Sequence, residues 1–498
     1  MLLLFFLSSG LFLGWSLGAN DAANVFGSAV GTRMIRFGRA AVICSVFVVI
    51  GAVVGGAGTS HTLGKLGAID AIGGAFMAAL AAGLTVTVMT KLGLPVSTSQ
   101  AIVGAIVGWN LFTGSLTDTA SLTRIVGTWV LCPILSGISA VIFHKCFTSV
   151  FRRLHLHLLW EDMFTRWSLV AVGAFASYSL GANNIANVMG VFVPVAPFAS
   201  VDVGGLFTIT GTQQLFLIGG LAIAFGVVTY SRKVMATVGG SLMRLTPQMA
   251  LVVVLSQSVV LFVFSSQSLE AWLMARGLPT VPLVPVSSSQ AVIGAVVGLG
   301  LMKGGRGVRY RMLCEIAAGW VTTPIISGAV AFVALFFLQN TFGVPIARDL
   351  DYVLDADVLA RVERLDIRDS QLADLEGRTW PTQIGMMRSL GRRTALDTAD
   401  RRRVLDAAEL DHFVVSLEVI EREFSSGILS YGKLEALNQL AGQEYRHGWQ
   451  LLEALAQNSD EWSLHEGADD HAAARMNTLQ TTVLSAFRAD STTPAMND

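Results

Sequence analysis

Two apolar stretches of the sequence carry the same polar interruption. Leu94 to Phe112 reads LPVSTSQAIVGAIVGWNLF, and Val284 to Met302 reads VPVSSSQAVIGAVVGLGLM. Between Pro95–Gly108 and Pro285–Gly298, ten of fourteen positions are identical and the other four are conservative. Two further pairs flank them in the same order. SLGANDAANVFG (Ser16 to Gly27) matches SLGANNIANVMG (Ser179 to Gly190), and WVLCPILSG (Trp129 to Gly137) matches WVTTPIISG (Trp320 to Gly328). The offsets are 163, 190 and 191 residues, so the second half has gained about 27 residues between its first two motifs. A duplication written in apolar segments restricts the chain to two copies of one membrane-embedded unit, roughly residues 1–150 and 165–342.

Composition agrees for the first two-thirds only. The chain is 53% hydrophobic and 14% charged, with mean hydropathy +0.60, outside the range of soluble globular proteins. Before residue 344 there are 18 Lys/Arg and 8 Asp/Glu; the remaining 154 residues hold 16 and 27. The expected fold is therefore an all-α polytopic membrane protein followed by a soluble acidic helical domain, residues 349–498. The opening MLLLFFLSSGLFLGWSLGAN lacks a basic start and stays apolar past Gly18, so it reads as a first membrane helix rather than a leader. Cys44, Cys132, Cys146 and Cys314 lie in apolar segments without metal-ligand spacing and read as packed thiols.

The polar knots are helix starts. Pro95 cannot continue a helix but fits just ahead of one, and Ser97, Thr98 and Ser99 are capping residue types. Such a start gathers free backbone N–H groups, hydroxyl donors and the positive end of the helix dipole. In lipid this is costly unless it faces protein or a water-filled cavity. Ser97, Thr98 and Ser99, with Ser287, Ser288 and Ser289, thus form a candidate anion site between two helix N-termini. The competing reading is hydroxyl glue between helices. Two matching copies, each with Pro before and Gln after, favour binding.

The first motif supplies groups of opposite character. Asn20, Asp21 and Asn24, and Asn183, Asn184 and Asn187, fall within apolar helices, and the outer asparagines of each set share a face. Asp21 is the one carboxylate placed inside a spanning run; the seven other acids of the body fall in loops or near segment ends. An intramembrane acid is a functional candidate by default, as a hard ligand for Na⁺ or as a proton carrier. A structural amide network is the alternative.

These residues resemble the PiT family of inorganic phosphate transporters. Its members carry a GANDxAN-type motif and a P-x-S-x-[ST]-[HQ] motif in each half, here Gly18 to Asn24 with Pro95 to Gln100, and Gly181 to Asn187 with Pro285 to Gln290. The resemblance covers about residues 1–342. It implies two inverted repeats with re-entrant helical hairpins, a central phosphate site at the hairpin tips, cation coupling and a homodimer in the plasma membrane. Asn184 stands where many relatives have Asp, and Gln100 and Gln290 stand where eukaryotic relatives usually carry His. Both departures favour Na⁺ over H⁺. The expected ligands are phosphate at the six knot hydroxyl residues, and a cation among Asn20, Asp21, Asn24, Gln100, Asn183, Asn184, Asn187 and Gln290. Na⁺ itself is placed at Asp21, Asn20, Asn183 and Asn184. No other cofactor, no nucleic-acid partner and no enzymatic activity is expected. An H⁺-coupled phosphate or sulfate permease of the same fold, an anion channel and an anion-sensing receptor are the alternatives.

The last third offers no catalytic constellation. TADRRRVLDAAELDHFVVSLEVIEREF predicts a helix capped at Thr398 or Asp400. YGKLEALNQLAGQEYRHGWQLLEALAQ predicts a second, joined through a turn at Ser425 to Gly427, with STTPAMND as a disordered end. His412, His447, His465 and His471 are scattered along it.

Overall fold

The structure, a computed structural model, describes residues 2–67, 69–92, 96–154, 157–196, 198, 201–203, 207–238, 245–305, 309–424, 429–463 and 470–489. It forms two compact units, Met1–Arg348 and Asp349–Asp498.

In the first unit one half comprises α1 (Leu2–Gly31), α2 (Phe37–Gly55), α3 (Ala57–Gly67), α4 (Ile72–Lys91), α5 (Thr98–Thr113) and α6 (Thr119–Leu154). The other comprises α7 (Leu158–Met189), α8 (Gly211–Thr229), α9 (Ser231–Val238), α10 (Pro247–Ser265), α11 (Gln267–Met274), α12 (Ser288–Met302) and α13 (Tyr310–Phe342). The residues gained by the second half lie in two places. An antiparallel hairpin, β1 (Val201–Val203) with β2 (Phe207–Ile209), precedes α8, and α11 interrupts the path from α10 to α12. Among the described residues eight helices are long and apolar enough to cross a membrane: α1, α2, α4, α6, α7, α8, α10 and α13. By contrast α5, with 16 residues, and α12, with 15, are about 24 and 22 Å long, short of a hydrocarbon core of about 30 Å.

The halves exchange helices. A Cβ at Gly104 on α5 would stand 2.1 Å from Pro324 O on α13, and one at Gly294 on α12 would stand 2.1 Å from Pro133 O on α6. Gly108 meets Gly328 O at 2.4 Å and Gly298 meets Gly137 O at 2.5 Å in the same sense. Likewise Gly18 on α1 abuts Ile223 O on α8, and Gly181 on α7 abuts Val48 O on α2. Each contact recurs with the repeat partners swapped. Lipid tails are as apolar as the helices, so close backbone approach supplies the association, and only Gly permits it here. This gives the third repeated motif its role: Pro133, Gly137, Pro324 and Gly328 are the surfaces on which α5 and α12 seat.

Cys44 and Cys132 are buried as expected, but Cys146 and Cys314 are exposed on α6 and α13, because only one face of these outer helices packs inward.

The second unit is mostly helical with small sheets. It runs β3 (Asp351–Val353), α14 (Ala356–Arg364), β4 (Thr379–Trp380), α15 (Gln383–Arg393), α16 (Thr398–Ala408), β5 (Glu409–Leu410), β6 (Phe413–Val414), α17 (Leu417–Phe424), α18 (Tyr431–Gln439), β7 (Glu444–Tyr445), α19 (Gly448–Asn458) and α20 (Asp470–Phe487). It is itself a duplication. LEGRTW (Leu375 to Trp380) parallels LAGQEY (Leu440 to Tyr445). Gly377 N donates to Leu354 O at 2.7 Å and Gly442 N to Val415 O at 2.7 Å, both glycines at positive φ. Tyr352 pairs with Trp380 as Phe413 pairs with Tyr445. Each expected long helix is therefore two. The first breaks into α16 and α17 around β5 and β6, with Asp397 rather than Thr398 or Asp400 as the cap. The second breaks into α18 and α19, because Gly442 at φ +85° turns the chain into β7. The turn at 425–427, His465 and the end at 491–498 lie outside the described residues.

Candidate functional site

The two knots meet inside the first unit. Ser97 caps α5 by accepting from Gln100 N at 3.3 Å, and Ser287 caps α12 by accepting from Gln290 N at 3.3 Å. Ser99 Oγ donates to Val286 O, and Ser289 Oγ donates to Val96 O, each at 3.3 Å. These are equivalent positions in the two repeats, so each knot holds the other by the same bond. Helical geometry leaves the N–H groups of Thr98, Ser99, Ser288 and Ser289 without intrahelical partners. All eight side chains from Ser97 to Gln100 and from Ser287 to Gln290 are buried. Pro95 lies outside the described residues.

The Asn-rich motifs of α1 and α7 close around these tips. Asn183 brackets the Val286 peptide: Oδ1 accepts from its N–H at 2.9 Å and Nδ2 donates to its carbonyl at 2.7 Å. Asn187 Nδ2 donates to Ser99 Oγ at 2.7 Å and to Asn184 Oδ1 at 3.0 Å. On α1, Asp21 Oδ2 accepts from Ser288 Oγ at 2.6 Å and Oδ1 accepts from Asn20 Nδ2 at 3.1 Å. Asn24 Nδ2 reaches Ser288 Oγ at 3.5 Å. Of the four residues expected at Na⁺, Asp21 and Asn20 are joined, while Asn183 and Asn184 are engaged by Val286 and Asn187. The two sides differ in access, since Asn183, Asn184 and Asn187 are buried and Asn20 and Asn24 only half-buried.

The centre holds polar atoms that the protein does not satisfy. Gln100 Oε1, Gln290 Oε1 and Asn187 Oδ1 are buried acceptors without partners, and Asn184 Nδ2 and Thr98 Oγ1 are buried donors without partners. Buried polar groups are paired in the great majority of proteins, so orphans gathered at one place suit a ligand. Amide oxygens beside a carboxylate fit a hard cation; N–H and O–H groups at two helix starts fit an oxyanion. Asp21 is 3% exposed, and none of the ion pairs among the described residues includes it. A buried charge of this kind calls for a counter-charge. Among the described residues no group of three His, Cys, Asp or Glu lies together.

Other polar and aromatic side chains of the apolar segments sit at helix caps and helix ends or in interhelical bonds. Gln213 forms a capping box with Thr210 at the start of α8, and Gln214 donates to Ile209 O. Lys91 is exposed at the end of α4. Trp109 is fully buried and donates to Ile346 O. Gln257 on α10 donates to Asn24 O at 2.7 Å, the interhelical bond its apolar surroundings suggest, and its own Oε1 is unpartnered.

Eight spanning-length helices around a polar centre between two helix starts define a multi-pass membrane protein of the solute-transport class. The profile of the phosphate transporter family matches residues 17–331 and 271–368. A candidate phosphate permease of Thermococcus kodakarensis is 27% identical over 399 residues, covering 65% of this chain and 94% of that one. A second, from Haemophilus influenzae, is 24% identical over 418 residues, covering 67% and 95%. A solved structure described as the sodium-dependent phosphate transporter shares the fold, with TM-score 0.54 and 23% identity over 68% of this chain and 99% of that one. The chain belongs to the phosphate transporter family, a family of transporters and not of enzymes, and is a multi-pass membrane protein. About a third of its length lies outside each of these likenesses to single proteins.

Proposed function

We propose that the protein imports inorganic phosphate together with Na⁺, with the anion held between the N-termini of α5 and α12. The observation that carries this reading is the reciprocal clasp of Ser99 on Val286 and Ser289 on Val96, with Asp21 bonded to Ser288. Ser97, Thr98, Ser99, Ser287, Ser288 and Ser289 supply hydroxyl and N–H donors to phosphate. Asp21, Asn20, Asn24 and the oxygens of Gln100 and Gln290 supply the cation side, with Asn183, Asn184 and Asn187 completing the pocket. The two ligands offset each other's charge, which permits an occluded, reorienting state in a low-dielectric centre.

Asp21 also bears on the choice of anion. Phosphate at neutral pH keeps a proton and can donate a hydrogen bond; sulfate cannot. A carboxylate attached to a tip serine accepts from the former and repels the latter.

The swapped helix contacts support inverted repeats. Gly104 and Gly108 meet Pro324 and Gly328 in rising order, so α5 and α13 run parallel. Short links join α5 to α6 and α12 to α13, and each long apolar helix must return across the membrane, so α5 and α12 point in opposite directions. Each is then the inner arm of a re-entrant hairpin, α4–α5 and α10–α12.

Uptake of radiolabelled phosphate into proteoliposomes tests the reading, under an inward Na⁺ gradient, an inward H⁺ gradient or neither, with excess sulfate as competitor. Concentrative, sulfate-resistant uptake with Na⁺ alone is expected. Uptake driven by H⁺ or blocked by sulfate overturns the cation or the anion, and absence of concentrative uptake points to the channel or receptor.

A further inference from the structure

Helix α13 ends at Gly343, where a left-handed residue reverses the chain. Gly343 N donates to Gln339 O and Val344 N to Leu338 O, at 3.1 and 3.3 Å. The five residues that follow do not run free. Val344–Arg348 lies across the start of α4 and the end of α5. Ile346 is 2% exposed, and its carbonyl accepts from Trp109 Nε1 at 2.8 Å. Arg348 N donates to Asp70 Oδ1 at 3.3 Å. The backbone lies so close that a Cβ at Gly73 would stand 2.4 Å from Pro345 O, and one at Gly74 would stand 2.3 Å from Ile346 O. Two backbone groups in five residues are thus hydrogen-bonded to α5 and to the residues leading into α4. Trp109 belongs to α5, about 16 Å along the helix axis from Thr98. The equivalent residue of α12 is Leu299, which has no donor. Immediately after Arg348 the second unit begins, and its first strand starts at Asp351.

We propose that Val344–Arg348 is a strap through which the soluble unit sets the position of α5, with Trp109 and Asp70 as its positioning residues. A rigid helix transmits a displacement at one end to the other, and α5 carries Ser97 to Gln100 at its far end. The covalent link to the second unit therefore leaves the first from beside the far end of α5, and the strap's hydrogen bonds given above go to α5 and Asp70 rather than to α12. This makes the second unit a modulator of anion affinity rather than a part of the transport path. The argument rests on the anion site proposed above.

The test uses the full chain in proteoliposomes and reads the phosphate KM and maximal rate separately. Trp109→Phe keeps the ring and removes the N–H. Asp70→Ala removes the acceptor, while Asp70→Asn keeps one. A six-residue Gly-Ser insertion between Arg348 and Asp349 leaves the strap seated but slackens its connection to the unit. The expected result is a KM change of about 3- to 10-fold for Trp109→Phe, Asp70→Ala and the insertion, with maximal rate within about twofold. Asp70→Asn should behave as the parent. Trp109→Phe combined with the insertion should change KM no more than either alone, because both interrupt one connection. An insertion that leaves KM unchanged, or effects that multiply, overturns the proposal. Asp21→Asn, measured alongside, separates this outcome from failure of the site: if that variant still takes up phosphate normally, the site reading fails, whatever the strap variants show.

Discussion

Gly104→Ala tests whether the exchange of helices positions the site. The added Cβ would stand 2.1 Å from Pro324 O, 2.6 Å from its Cα and 2.7 Å from its carbonyl carbon, all backbone atoms that no side-chain rotation can clear. Restoring an ordinary contact of 3.4 Å requires α5 and α13 to separate locally by about 1.3 Å. Overpacking of this kind costs about 1–3 kcal/mol, and a binding group displaced by 1 Å can lose about 100-fold in rate. Gly104 lies about 9 Å along α5 from Thr98, so the tip cannot remain seated on Val286 while the helix retreats. Phosphate uptake per molecule should fall about 5- to 150-fold. Gly294→Ala should match it, because its Cβ meets Pro133 O at the same 2.1 Å. Gly127→Ala on α6 is the control: nothing lies within 4 Å of its Cβ, and Ala favours a helix over Gly. Purified variants in proteoliposomes, normalised to folded protein by size-exclusion chromatography, give the comparison. Uptake by Gly104→Ala within twofold of Gly127→Ala would show that the close helix contact does not hold the tip.

Asp21→Asn should abolish Na⁺-coupled uptake more completely than Ser97→Ala, since it removes the buried charge; wild-type uptake by Asp21→Asn would sink the cation assignment. Asn183→Leu leaves the Val286 N–H buried without its partner, at about 1–3 kcal/mol, and its carbonyl with Ser99 Oγ alone, so a lower thermal midpoint and lost uptake are expected together. Ser99→Ala and Ser289→Ala each remove one arm of the clasp and should weaken phosphate binding by similar factors of about 5, read by isothermal titration. Gly377→Ala and Gly442→Ala place a side chain at φ +74° and +85°; each should destabilise the second unit by about 1 kcal/mol in thermal melts and leave uptake intact.

The site was legible in the sequence because its chemistry contradicts its surroundings. Asp21, the asparagines and the two Ser-rich knots are polar residues in apolar runs, and the duplication showed which of them belong together. Their partners were not legible. That Asn183 brackets Val286, or that each knot donates to the other, depends on long-range placement no local pattern encodes. The third motif was legible only as a repeat, because the role of Pro133 and Gly137 appears only once α12 lies upon them. In the second unit, the spacing of apolar residues ran on through Gly442, so two short helices read as one. The paired LxG turns at Gly377 and Gly442 were the signal that could have revealed the second duplication.

The swapping of helices between halves also constrains how the chain is made. Synthesis delivers α5 with Gly104 and Gly108 some two hundred residues before Pro324 and Gly328 exist to cover them. The first half thus enters the bilayer with its interior surfaces unmatched, and neither half can close alone. Assembly becomes a single late event, in which the nascent second half threads its helices against a waiting template. A ribosome that stalls near residue 310 would leave α5 without the α13 surface on which Gly104 and Gly108 seat, an open seam that makes the product a natural substrate for membrane quality control.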